Sequence, residues 1–139
     1  MKRTANAHWN GNLQQGHGEI STQSTVLNQT QYSFKTRFAD GIGTNPEELI
    51  AAAHAGCFTM AVSATLTQFG FTASDLFTTA TLDLDMQALS ITGIHLELKA
   101  TPIEGVDEAK FKEIAEGAKA QCIVSKALSV PITLGVTYA

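Results

Sequence analysis

The chain has 139 residues, a net charge of −4 and 44% hydrophobic residues, enough length for one domain with its own core. No Lys/Arg cluster interrupts this acidic balance, which argues against a nucleic-acid or membrane-surface partner. No apolar run reaches about 18 residues free of polar groups and Met1–Asn6 leads into no signal-peptide core, so the expectation is a soluble cytoplasmic protein. In that compartment thiols stay reduced, and the only two cysteines, Cys57 and Cys122, are not expected as a permanent structural disulfide.

Residues 1–40 read as a run of strands. Thr4–Trp9 is short and mixed, Asn10-Gly11-Asn12 is a turn, and His17–Val26 is rich in Ser and Thr. After a turn over Leu27–Gln31, the segment Tyr32–Phe38 alternates with period two, which predicts a strand with Tyr32, Phe34, Thr36 and Phe38 on one face and Ser33, Lys35 and Arg37 on the other. Asp40-Gly41-Ile42-Gly43 breaks it.

A helix start follows, written in full. Asn45 suits the N-cap, Pro46 the first helical position, and Glu48 the third residue of a capping box. From there to Gly70 the sequence is Ala-rich and apolar almost all the way round, the pattern of a buried central helix. Thr78–Met86 and Ser90–Thr101 alternate again, with Ala80, Leu82, Leu84 and Met86 on one face of the first and Ile94, Leu96, Leu98 and Ala100 inward in the second, as in a half-solvated antiparallel hairpin. Asp107 caps a second, amphipathic helix through about Gln121 that turns Phe111, Ile114, Ala115 and Ala118 inward. Cys122 falls at its end, Val124–Leu128 reads as a further helical turn, and Ile132, Leu134, Val136 and Tyr138 alternate in a last strand after Pro131. The order strands, helix, strands, helix, strand reads as α+β with mostly antiparallel sheets in a single domain, residues 1–139. A helix this apolar cannot lie on one sheet with its back to water, and a homodimer that buries it between subunits would resolve that.

The residues leave several chemistries open. Cys57, among Ala55, Gly56 and Phe58, reads first as a small core hydrophobe, and the reading as a reactive thiol needs a cation from elsewhere. Arg37, one of two arginines, is the best donor of that charge, and Glu47 suits a bidentate pair with it. Ten residues of ideal helix separate Glu47 from Cys57 by roughly 15 Å, so either Arg37 bridges the gap, the helix start bends, or a second subunit contributes. Cys122 is the natural partner thiol. His54, three positions before Cys57, could share a metal with it or serve it as a base in a cysteine hydrolase, but no second ligand pair and no oriented third member accompany them. No glycine-rich phosphate loop and no nucleophile elbow are present.

The stretch from Gly43 to Phe58, GTNPEELIAAAHAGCF, resembles the signature helix of the OsmC/Ohr family, the osmotically inducible and organic hydroperoxide resistance proteins. The resemblance covers essentially the whole chain. It includes Ala7-His8-Trp9-Asn10-Gly11, Thr36-Arg37-Phe38 and Ala118–Ser125, and its wording is closer to the OsmC branch. It implies an intertwined α+β homodimer with its sites at the interface. It also implies a thiol peroxidase without haem, flavin or metal, active in oxidative or osmotic stress defence, that reduces organic hydroperoxides better than hydrogen peroxide. Carried onto this chain, Cys57 would be the peroxidatic thiolate and Cys122 the resolving thiol that forms a disulfide with it. Arg37 would favour the thiolate and polarise the peroxide, Glu47 would orient Arg37, and an external dithiol or lipoyl-type reductant would close the cycle. The family commonly has proline after the second cysteine, where this chain has Ile123. The alternative on the same fold is a non-catalytic stress protein that holds an apolar ligand at the dimer interface.

Overall fold

In the computed structural model, which describes residues 1–139, strand pairing forms two separate three-stranded sheets. The chain divides into two compact units, Met1–Leu49 and Ile50–Ala139.

The first unit holds β1 (Ala5–Asn10), β2 (His17–Thr22) and β3 (Thr30–Tyr32), antiparallel in that order. The strand expected to run to Val26 stops at Thr22. There Thr25 takes a positive φ of 64° and its N–H returns to the Thr22 carbonyl at 2.9 Å.

The larger departure is Tyr32–Phe38, expected as one strand. Only Tyr32 belongs to a strand; Phe34–Phe38 is a short helix, α1, so Arg37 sits on a helix. The cause is local. Ser33 caps the helix by accepting from the Thr36 N–H at 3.2 Å, while Thr36 Oγ1 accepts from the Ser33 N–H at 2.8 Å, a closed capping box. Phe34 and Phe38, four apart, stack with ring centroids 4.9 Å apart. Positions four apart satisfy a period of two as well as a helical turn, so alternation alone could not tell the two apart.

Gly43 then turns the chain into the long helix α2 (Pro46–Gln68). Its φ of 136° and the Gln31 carbonyl oxygen, 2.5 Å from where a Cβ would stand, leave room only for glycine. The cap of α2 forms as expected on one side, with Asn45 Oδ1 accepting from the Glu48 N–H at 2.8 Å. The reciprocal half is replaced: the Glu48 carboxylate accepts from Thr44 Oγ1 at 2.6 Å, and Asn45 Nδ2 donates instead to the Thr36 carbonyl at 3.1 Å.

The second unit contains the rest of α2, β4 (Leu76–Asp85), β5 (Ser90–Ala100), α3 (Glu108–Gln121), α4 (Ile123–Ala127) and β6 (Ile132–Tyr138). β4 and β5 form the expected antiparallel hairpin. β6 pairs parallel to β5, from Ile94 opposite Ile132 to Ala100 opposite Tyr138. A parallel pair needs a long crossover, and α3 with α4 provides it. The sheets are thus mostly antiparallel, with this one exception. Asp107 caps α3 through the Lys110 N–H at 2.8 Å, and Phe111, Ile114, Ala115 and Ala118 are buried as the amphipathic pattern predicts. Tyr138 stacks on Phe111 at 4.4 Å between ring centroids, and its hydroxyl accepts from the Ile103 N–H at 2.6 Å and donates to the Val106 carbonyl at 3.0 Å. That arrangement ties β6, α3 and the loop before α3 to one core.

α2 is buried only along one stripe within the chain. His54, Phe58, Val62 and Leu66, spaced by four, are enclosed, while Ala52, Ala53, Gly56, Met60 and Ala64 face outward and Met60 is 76% exposed. The helix is apolar on a face that this sheet does not reach. By length and a mean hydropathy of 1.6 over its most apolar window it would also pass for a membrane span.

Candidate active site

The four candidate residues come together as two pairs: Arg37 with Glu47 in the first unit, and Cys57 with Cys122 in the second.

Arg37 and Glu47 meet as expected. Arg37 Nε donates to Glu47 Oε1 and Oε2 at 3.0 and 3.3 Å, and Nη2 donates to Oε1 at 2.8 Å. The capping box of α1 sets the position of Arg37, and the first turn of α2 presents Glu47. The Glu47 side chain is 14% exposed against 43% for Arg37, so the carboxylate is the fixed member and the guanidinium the presented one. The planar fork is held along one edge, and Nη1 makes no hydrogen bond within the chain. The guanidinium carbon also lies 5.1 Å from the centre of the Phe38 ring. Beside it opens a cavity of about 270 Å³ lined by Trp9, Leu13, Tyr32, Ser33, Phe34 and Phe38 with Arg37. Alternation had placed Phe34 and Phe38 on a strand face; their helical pairing makes them one wall of this cavity.

Cys57 and Cys122 are free thiols. Cys57 is half-buried on α2 and lines a groove of about 660 Å³ whose floor and walls include Met60, Ala61, Gln68, Gln121 and Ile123. Cys122 lies in the same groove wall but is only 1% exposed, so it is a fully buried thiol and not a half-buried one. It closes α3 and opens α4: its N–H bonds the Ala118 carbonyl at 2.9 Å, and its Sγ accepts from the Ser125 N–H at 3.5 Å. Burial pushes the Cys122 thiol up. Hydrogen bonds from the Ser125 hydroxyl and N–H, from the Cys57 thiol and from the Val124 N–H outweigh it, and the net direction is down. The two thiols thus face the same groove.

His54 was read as a possible base or metal partner for Cys57. Its ring is fully buried and turned to Ser125 instead, with Nε2 2.7 Å from Ser125 Oγ. Burial lowers its pKa from the ordinary 6.5, which favours the neutral imidazole. Ser125 is the residue sequence reasoning missed. One signal was present: it stands three positions after Cys122, the spacing at which a capping atom meets a backbone N–H. Its contact with His54 spans 71 positions and has no local signature.

This is an α+β protein with an accessible thiol set against a buried one at an open groove. Residues 39–136 match the OsmC-like protein family, and the chain belongs to it. It is 46% identical over 136 residues to the peroxiredoxin OsmC of Escherichia coli (strain K12), spanning 96% of this chain and 94% of that protein. Among solved structures it is similar to the organic hydroperoxide resistance protein OhrB of Bacillus subtilis, at 25% identity and a TM-score of 0.67 over 96% of this chain and 98% of that one. An OsmC-like protein of Vibrio cholerae superimposes with a TM-score of 0.77 at 12% identity over 99% of both chains, a likeness of fold.

Proposed function

We propose that the protein is a thiol-dependent peroxidase that reduces organic hydroperoxides through Cys57 and Cys122. The observation that carries this reading is the half-buried Cys57 thiol sharing one groove with the buried Cys122 thiol. In the first step the Cys57 thiolate attacks the terminal oxygen of ROOH. The O–O bond breaks, the alkoxide leaves and takes a proton to become the alcohol, and Cys57 is left as a sulfenic acid. Cys122, as thiolate, then attacks the Cys57 sulfur; the S–S bond forms and hydroxide leaves, to be protonated to water. An external dithiol, of lipoyl or similar type, reduces the disulfide by exchange. It attacks Cys57, since Cys122 is enclosed, and expels the Cys122 thiolate.

Arg37, held by Glu47, supplies positive charge to the thiolate and hydrogen bonds to the peroxide through its free Nη1. The adjoining aromatic cavity favours a substrate with an apolar tail over hydrogen peroxide. The 46% identity to a protein named peroxiredoxin OsmC supports the same reading. The exposed apolar face of α2 is assigned to a second copy of the chain: residues 52, 53, 56 and 64 there are small enough for helices to approach closely, and half of the site lies at that helix. Sedimentation at micromolar concentration should give the dimer, and a stable monomer would remove it.

The test of the reaction is stoichiometric cumene hydroperoxide followed by thiol titration and intact mass. Wild type should lose both thiols and two hydrogens, whereas Cys122→Ser should accumulate sulfenic and higher oxides and Cys57→Ser should consume no peroxide above background. Thiols that survive the peroxide would return Cys57 to plain core and favour the ligand-holding alternative.

A further inference from the structure

His54 and Ser125 have no place in the steps above, yet they form a connected polar chain in an otherwise apolar core. His54 is 0% exposed, and its Nδ1 is enclosed without a hydrogen-bond partner. A buried polar atom of that kind calls for an explanation. A proton on Nδ1 would be a buried donor with nothing to accept it, whereas a proton on Nε2 is directed to Ser125 Oγ at 2.7 Å. The network therefore assigns the proton to Nε2. Burial keeps the ring neutral in that form. Ser125 Oγ then serves as acceptor toward His54, which fixes the residue whose N–H is given to the Cys122 sulfur at 3.5 Å and leaves the single hydroxyl proton free for that sulfur.

We propose that His54, acting through Ser125, is a positioning residue for Cys122: it locks the Ser125 hydroxyl as a donor to Sγ and so sets the rate of the steps in which that sulfur carries negative charge. This rests on the two-cysteine cycle proposed above. Two steps qualify. In resolution the Cys122 thiolate forms the S–S bond as hydroxide departs from the Cys57 sulfenic acid. In recycling the incoming dithiol thiolate forms a bond to Cys57 Sγ and the S–S electron pair leaves with Cys122. A better stabilised leaving thiolate departs faster. A donor held in place does for this sulfur what a buried cation would do at far greater desolvation cost.

The surrounding charges do not compete for that role. On α2 the titratable neighbours are His54 and Cys57. Lys119 of α3 is paired with Glu116 at 2.8 Å, Lys126 of α4 donates to Gln121 at 3.3 Å, and on β5 Glu97 is engaged by Thr137 at 3.2 Å. None of these charged groups is among those acting on the Cys122 sulfur. The pH response of resolution therefore reports Cys122 itself, in the setting His54 and Ser125 create.

The experiment separates the two chemical steps. Reduced wild type, Ser125→Ala, His54→Leu and His54→Gln are mixed with cumene hydroperoxide; sulfenic acid is followed with a dimedone-type trap and disulfide by thiol loss over a range of pH. Ser125→Ala and His54→Leu should slow disulfide formation about tenfold or more, as expected for loss of a hydrogen bond to a charged group. The midpoint of its pH profile should move upward, and sulfenic acid formation should change far less. His54→Gln, whose amide N–H stands near the Nε2 position, should recover most of the rate. Ser125→Ala resolving at the wild-type rate with the wild-type pH profile overturns the proposal. Nitrogen NMR of the wild-type imidazole needs no variant: a neutral ring protonated on Nε2 supports it, and a proton on Nδ1 overturns it. A wild type that keeps both thiols after peroxide overturns the peroxidase reading and this inference together, which distinguishes that failure from the other.

Discussion

The Arg37–Glu47 pair and the Cys57–Cys122 pair are built from opposite materials. The first joins two full charges, and its guanidinium is close to half exposed, so water and salt weaken it. As a contribution to folding, such a pair is worth about 1 kcal/mol or less; its value lies in orientation, because the carboxylate fixes one edge of the guanidinium and leaves Nη1 available. The second pair joins two thiols, one of them fully buried, and within its own unit the buried one is biased by hydrogen-bond donors and not by an ion. Hydroxyl, amide and thiol donors lower Cys122 against the effect of burial. Inside a core, a full charge would carry a large desolvation cost, while dipoles fixed by the fold do not. Strength against solvent is therefore placed with the thiols, and reach into solvent with the arginine.

The largest way to break the thiol side is to loosen the core beneath it. Cys122 ends α3, and Phe111, which anchors that helix, is fully buried and stacked on Tyr138. Phe111→Ala should cost about 3–5 kcal/mol in urea unfolding of the reduced protein. The Arg37 side should respond in activity and hardly in stability. Arg37→Met is expected to lower kcat/KM for cumene hydroperoxide about 100-fold, the usual effect of removing one preorganised donor. Arg37→Lys should recover only part of that, since a point charge cannot make the Nε and Nη2 contacts and still present a free donor. Glu47→Gln should cost about tenfold, and adding salt should reduce the difference from wild type.

The smallest effect sharpens the contrast from the pH side. The folded state lowers the His54 pKa from 6.5 by burial, so below that value the unfolded chain takes up a proton that the folded chain refuses. The stability contribution of His54 is complete above about pH 6.5 and is lost as pH falls through that value toward the folded one. Chemical denaturation of wild type and His54→Gln between pH 7.5 and 5 should show wild type losing more stability on acidification. Parallel curves would mean that His54 ionises freely in the folded state.

Much of the architecture was legible because it repeats locally. The cap at Asn45, the alternation of β4 and β5 and the amphipathic face of α3 are each decided by residues within a few positions of one another. The Arg37–Glu47 pair was legible too, since the segment between them is short and Glu47 sits in a well-marked first turn. Tyr32–Phe38 was misread although its capping box lies wholly within Ser33–Thr36: two aromatics four apart fit both periods, and the hydrogen bonds of the cap, not the apolar pattern, decided for the helix. The parallel pairing of β6 on β5 had no signal in the strand itself. It follows from where the α3–α4 crossover delivers the chain.

By itself the sequence determined most of the helical and extended segments, the apolar faces they carry, the family to which the chain belongs, and the four candidate residues. Only the tertiary structure decided that Cys122 is enclosed while Cys57 is not, and that His54 serves Ser125 and not Cys57. The reason is physical. Caps and periodicity arise from groups joined by a short tether, whereas burial and a hydrogen bond across 71 positions exist only after separate elements have packed against each other.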